Sequence, residues 1–148
     1  MIRIVTSSFY TTLPPLFARI SIARWAPKGH RDLPTVREFA PGDWFRTIDE
    51  DEYRERYIAQ LTVLDARAIV RKIEDLGAGR PTALLCWERP RDHNFCHRGY
   101  VSAWLHDELG LDVPEYGRDC DGSGHSHPKL PPQHRFAAPS LFGNAATK

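Results

Sequence analysis

The sequence predicts an α/β domain: a small, mostly parallel central sheet with helices packed on it, in a single layered unit. Three observations carry this. Short apolar runs at Ile2 to Thr6, Arg19 to Arg24 and Thr82 to Glu88 read as strands. The third run is apolar on both faces, as a central parallel strand covered on both sides should be. Asp49 to Leu76 and Gly99 to Leu109 carry apolar residues at spacings of three and four, the signature of amphipathic helices.

Taken in order, Ile2 to Thr6 is the first strand, and Ser7 and Ser8 open a loop broken by Pro14 and Pro15. In the second strand Ile20 and Ile22 alternate onto one face. Residues 25–48 hold Pro27, Gly29, Pro34, Pro41 and Gly42 together with Trp25 and Trp44. A loop of that length is usually functional or disordered, and its aromatics weigh against disorder. Asp49 is a helix N-cap, with Glu50, Asp51 and Glu52 filling a first turn where negative charge suits the helix dipole. Tyr53, Tyr57, Leu61, Leu64 and Ala68 form a buried stripe that Ile69, Val70, Ile73 and Leu76 widen, with room for a change of direction near Ala66. Gly77, Gly79 and Pro81 end the helix. After the central strand, Val101, Trp104, Leu105 and Leu109 give the next helix its apolar face, Gly110 caps it, and Leu111 to Val113 fits a last short strand. Residues 1–117 make up this domain. From 118 to 148 Gly, Pro, His and Ser dominate, and the segment is expected to be an extended or partly disordered tail.

At 148 residues the chain suits one domain, and 41% apolar residues suffice for one core. A net charge of +1 excludes a bulk field that would drive the chain onto nucleic acid or membrane. No apolar run approaches the ~20 residues of a membrane span. Met1 to Thr6 goes straight into strand-like sequence without the features of a signal peptide, so a cytoplasmic location is expected. Three cysteines, an odd number in no secreted framework, are expected to be reduced.

In open α/β sheets ligands bind beyond the carboxyl ends of the strands. Those ends are Thr6 to Ser8, Arg24 with Trp25, and Trp87 with Glu88, and Cys96, His97 and Arg98 begin the following helix. If the strands are parallel and adjacent, these groups converge. Cys96 reads either as a nucleophile activated by the helix start, His97 and Arg98, or as a small residue packing the corner. Arg98 is unfavourable in a first turn unless it meets an anion or a carboxylate such as Glu88. His97 is a general base or a buried hydrogen-bond donor. Glu88, ending an apolar strand, is an acid/base group or the partner of Arg98. Gly99 is a poor helix former whose place is explained by the close approach of a ligand or a neighbouring backbone. Arg24, Trp25, Lys28, His30 and Arg31 form a basic, aromatic cluster suited to stacking bases or binding phosphates, or simply a solvated loop.

Sharper motifs fail. There is no C-x-x-C, no P-loop and no G-x-G-x-x-G. A cysteine-phosphatase loop would need an Arg where Ser102 stands, and a sulfur-transferase loop starting at Cys86 meets Glu88 and Pro90. Cys120, His125, His127 and His134 fit no common zinc spacing, so no metal site is read, and no cofactor is named.

Leu84 to Glu88 followed by Cys96, His97 and Arg98 resembles the domain-of-unknown-function family 488, whose members share a Leu-Leu-Cys-x-Glu-like strand end and a Cys-His-Arg. Thr6 to Phe9, Ile20 to Arg24 and the Tyr53-x3-Tyr57 helix are similar too, so the resemblance is expected to cover about residues 2 to 116. It implies a site made of Ser7, Ser21, Arg24, Cys86, Glu88, Cys96, His97 and Arg98, and no general activity. Trp87 replaces a smaller residue and is expected to narrow the pocket. The tail, including His127 to Pro131, lies outside the core motif, with folding back over the sheet as the alternative to an extended course.

The expected function is therefore binding of a compact anionic or nucleotide-like ligand at the strand ends. Arg98 and Arg24 would hold the anion, Ser7, Ser21, Trp25 and Cys86 would line the pocket, and Cys96, His97 and Glu88 would stand nearest the chemistry. The alternative is a non-catalytic module that engages a nucleic acid or a protein through the same pocket and the 25–46 loop.

Overall fold

Three short parallel strands set the frame. In this computed structural model, which describes residues 2–90 and 94–135, β1 (Ile4–Ser8), β2 (Ala18–Ser21) and β3 (Thr82–Cys86) form a sheet of order β1-β3-β2. Both outer strands pair parallel to β3, with Ser8 opposite Cys86 and Ser21 opposite Leu85. All three carboxyl ends therefore share one edge. Every residue of β1 and β3 is buried, which accounts for the continuous apolar run at 82–86.

Helices α1 (Glu50–Thr62) and α2 (Ala66–Leu76) stand where one long helix was expected, with a turn between them. The break lies where the sequence allowed a change of direction. Asp65 is a second N-cap, accepting a hydrogen bond from the Ala68 N–H, as Asp49 does from Glu52 at the start of α1. The break resets the helical phase. Tyr53, Tyr57 and Leu61 are buried on α1 and Ala66, Ile69, Val70 and Ile73 on α2, while Ala68, assigned to the stripe by unbroken periodicity, is exposed. α3 (His97–Leu109) follows β3 and packs on it, and α1 and α2 pack on α3. Gly110 closes α3 with a left-handed φ of 67°.

The long loop before α1 is ordered by specific contacts. Its backbone returns beside β2, where Ser21 bonds to Pro34 and Val36, and Arg37–Phe39 and Asp43–Arg46 form 3₁₀ turns. Tyr57 donates its hydroxyl to the Phe39 carbonyl at 2.6 Å, and Gln60 donates to the Glu38 and Ala40 carbonyls.

Two expectations near the carboxyl end need correction. Leu111 to Val113 is no strand. One bridge forms instead, between Thr6 and Glu115, because Pro114 offers only its carbonyl and Gly117, at φ 90°, turns the chain away. Residues 118–135 are not an extended tail. They fold over α3, and His127, Lys129 and Leu130 are buried. The polar composition misleads here because many of its polar groups find partners inside: the Gly124 N–H donates to Ser102 Oγ, His125 pairs with Asp107 at 2.8 Å, and Tyr100 meets His134 at 3.0 Å. Residues 136–148 of the expected tail lie outside the described residues. Among the described residues, no helix is long and apolar enough to cross a membrane.

Candidate functional site at the strand ends

The common carboxyl edge of the sheet opens into a cleft of about 520 Å³. Its floor is built by the end of β3 and the start of α3: Cys86, Glu88, Cys96 and His97. Its walls are aromatic and basic. Trp25 and Arg24 come from the end of β2, Phe45 and Arg46 from the long loop, Tyr53 from α1, and Trp87 and Phe95 from the segments flanking the floor. The Arg24 and Arg46 guanidinium carbons stand 5.2 and 5.5 Å from the Trp25 ring centre. Trp87 donates its indole N–H to the Trp25 carbonyl at 2.6 Å, tying the two tryptophan segments together across the mouth.

Cys96 is the N-cap residue of α3 and makes no side-chain capping bond. Its backbone N–H donates to the Lys129 carbonyl at 2.9 Å, so the packed 118–135 segment holds the corner in place. Gly99 permits this. A Cβ there would meet the Leu130 nitrogen at 2.6 Å and the Lys129 carbonyl carbon at 2.8 Å. The residue that approaches Gly99 is thus neighbouring backbone.

His97 Nε2 lies 2.8 Å from the Ile22 carbonyl, to which it must donate. Nδ1 then faces both sulfurs, at 3.6 Å from Cys86 and 3.7 Å from Cys96. Cys86 also lies 3.8 Å from Glu88 Oε1. Burial pushes the Cys96 thiol up, but the hydrogen bond from Cys86 and the charges of His97 and Arg98 outweigh it and hold the thiol well below its usual range. Cys86 moves the other way, pushed well above by burial and by its bond to Cys96. Burial lowers His97, yet the Cys96 charge and its hydrogen bonds raise it overall. Glu88 is pushed up to about 7 by burial and by the Cys96 charge. The floor accordingly sets a thiol whose ionisation is favoured beside an imidazole whose protonation is favoured, next to a carboxyl group pushed up to about 7. Such a set can attack an electrophile, move a proton, or bind a metal, since the donor atoms of Cys86, Cys96 and His97 lie within 4.8 Å of one another.

The cleft gathers Arg24, Trp25, Cys86, Glu88, Cys96 and His97 of the residues read from the sequence. It does not gather Ser7, Ser21 or Arg98. Ser7 is buried in β1, its hydroxyl without a hydrogen-bond partner among the described residues, and Ser21 accepts the Ala23 N–H. Arg98 is fully buried, and its carboxylate partner is Glu115, not Glu88: Nε and Nη2 reach Oε1 and Oε2 at 2.9 and 2.8 Å. Glu88 lies on the cleft side of the corner, whereas the Arg98 side chain runs to the other side and cannot hold an anion in the cleft. Sequence reasoning missed Phe45, Arg46, Phe95 and Glu115. Tyr53 was read only as a core position. Arg46 had one signal, a cation directly after Trp44 and Phe45 in an overlong loop. Glu115 had none.

A comparison with known protein families covers the end of β3 and the start of α3. The chain resembles domain of unknown function DUF488 over residues 34–105. That match spans slightly less than half of the 148 residues, narrower than the stretch the motifs suggested. The DUF488 region contains the long loop from Pro34, α1, α2, β3 and the first turns of α3, hence Cys86, Glu88, Cys96, His97 and Arg98. Arg24, Trp25, Glu115 and His127 lie outside it. No curated protein and no solved structure matches the chain.

Proposed function

We propose that this protein binds a small, planar, anionic ligand of nucleotide type in the cleft and presents it to Cys96, His97 and Glu88 for chemistry. The observation that carries the reading is the composition of the cleft wall: Arg24, Arg46 and the Trp25 ring stand together above a reactive floor. A ring system stacks on Trp25, Phe45 or Trp87, and the two guanidiniums hold the phosphate. Arg24 and Arg46 thereby take the anion-holding role first assigned to Arg24 and Arg98.

The test is a panel of nucleoside monophosphates, the parent nucleosides and inorganic phosphate, read by thermal shift and calorimetry. Monophosphates should stabilise the protein more than nucleosides, and Arg24→Ala with Arg46→Ala should weaken binding by about tenfold or more. Absence of any shift at millimolar monophosphate sinks this reading.

One observation supports a second reading. A neighbouring groove shares Arg24 and Trp25 with the cleft and adds Ser21, Arg31 and Arg37. A basic track with an exposed tryptophan suits single-stranded nucleic acid. Oligonucleotide binding that exceeds monophosphate binding and falls steeply with salt would favour it.

A further inference from the structure

We infer that Cys86, Cys96 and His97 are three ligands of a thiophilic divalent metal site, with zinc the fitting ion and the fourth coordination position open to the cleft. The inference stands on the floor cluster alone and does not depend on which ligand the cleft takes.

Two edges of the cluster have the length of tetrahedral edges, and all three donor atoms lie within 4.8 Å of one another. Sulfur ligands lie about 2.3 Å and imidazole nitrogens about 2.0–2.1 Å from zinc, so two such donors subtending a tetrahedral angle lie about 3.6 Å apart. The observed sulfur–nitrogen separations are 3.6 and 3.7 Å. Both match donor atoms arranged around a shared centre. All three donors are buried, so few competing contacts reach them. The ring is oriented as a metal ligand needs: Nε2 donates to the Ile22 carbonyl, which fixes the ring and directs Nδ1 at the sulfurs.

The donor set selects the ion. Two thiolates and an imidazole favour zinc over calcium or magnesium, and two thiolate charges neutralise a dication in a buried place. The frame is rigid where it must be. Cys86 ends the central strand, Cys96 is tied to Lys129, and His97 is packed edge-on against the buried Tyr57 ring at 5.5 Å. Each donor also lines the cleft, so the vertex left by three protein ligands faces the cavity. Glu88, 3.8 Å from Cys86 through Oε1, stands beside that vertex. Three protein ligands with an open position is the arrangement of catalytic rather than structural zinc.

The experiment uses the full chain, produced without a metal-binding tag, reduced and dialysed. Zinc content is measured directly, and cobalt is titrated into the metal-free protein. About one equivalent per chain is expected, with the thiolate-to-cobalt charge-transfer band and the strong visible bands of tetrahedral cobalt. Cys86→Ser and Cys96→Ser should each weaken cobalt binding by more than about tenfold, and Cys120→Ser should leave it unchanged. Should the serine variants fail to fold, mass spectrometry of the native chain decides. Zinc should protect Cys86 and Cys96 from alkylation while exposed Cys120 reacts, and a chelator should remove the protection. A reduced, folded protein that takes up neither ion overturns the inference. So does a cobalt spectrum that survives loss of Cys86 and Cys96, or a chelator that leaves their alkylation unchanged. Nucleotide binding without metal would retire this site and keep the cleft; metal without nucleotide binding would do the reverse.

Discussion

His97 and Arg98 are consecutive, buried and charged or chargeable, yet they serve opposite kinds of surroundings. One residue along a helix rotates a side chain by about 100°, and that rotation carries Arg98 away from the cleft. On its side the hydrogen bonds run in one direction toward Glu115, and only Arg98 Nη1 finds no acceptor among the described residues. The Lys129 N–H donates to His127 Nδ1, His127 Nε2 to Thr6 Oγ1, Thr6 to Glu115 Oε1, and Arg98 in two bonds to the same carboxylate. On the His97 side two thiols, an imidazole and a carboxyl group crowd together and open to solvent through the cleft. The contrast teaches that a buried charge marks chemistry only when its neighbours leave it something to do. The Arg98 network, closed by two bonds to Glu115, fixes structure; the open His97 cluster is where a ligand can add a bond.

The sharpest way to break this contrast is to cut both sides. Arg98→Met leaves Glu115 buried without its cation and should cost about 3–5 kcal/mol in urea unfolding, enough to unfold much of the population. Cys96→Ser should cost only about 1–2 kcal/mol and keep the far-ultraviolet circular dichroism. If the two variants lose similar stability, the division into structural and reactive sides is wrong.

Gly99→Ala strikes the seam between the two. Alanine raises helix propensity by about 1 kcal/mol, but its methyl would press on the Leu130 and Lys129 backbone, which yields less readily than a side chain. A net loss of about 1–3 kcal/mol is expected, together with weaker ligand binding, because the Cys96–Lys129 bond is levered open. A stabilised variant would show that the seam is loose.

The smallest effect concerns protons. Burial and the Arg98 charge hold His127 well below its usual 6.5, so the folded protein keeps it neutral. In the unfolded chain it gains a proton near 6.5. Stability contributed by this site is therefore intact above that pH and is lost as pH falls below it, by up to about 1.4 kcal/mol per unit. Urea unfolding from about pH 7 to about pH 5 should show that slope, and His127→Gln should lower it by one proton's worth. Equal slopes would mean that His127 charges freely in the fold.

What the sequence revealed follows the range of the forces involved. The three strands, the Asp49 cap and the corner at Cys96 are local, written in short periodic runs and a capping residue. Strand ends were also legible in three dimensions, because parallel pairing forces them onto one edge. Arg98 could not be placed, since the helix start limits its neighbours but does not choose between Glu88 and an acid 17 residues on. Composition did not choose between an extended and a folded-back course for 118–135, because it records polarity, not whether a polar group finds a partner. The Gly99 anomaly pointed to the right physical cause, close approach, without revealing which part of the chain approaches.

Thr6 bonds to Glu115 and His127, 109 and 121 positions further along the chain. During synthesis, the whole sheet and the helices behind it are therefore out of the ribosome before this latch can close. A nascent chain stopped between Gly117 and His127 carries nearly all of the apolar core and both cysteines of the cleft, but nothing to seat on Gly99 or to receive the Cys96 N–H. The order of translation makes the reactive corner one of the last parts of the molecule to become itself.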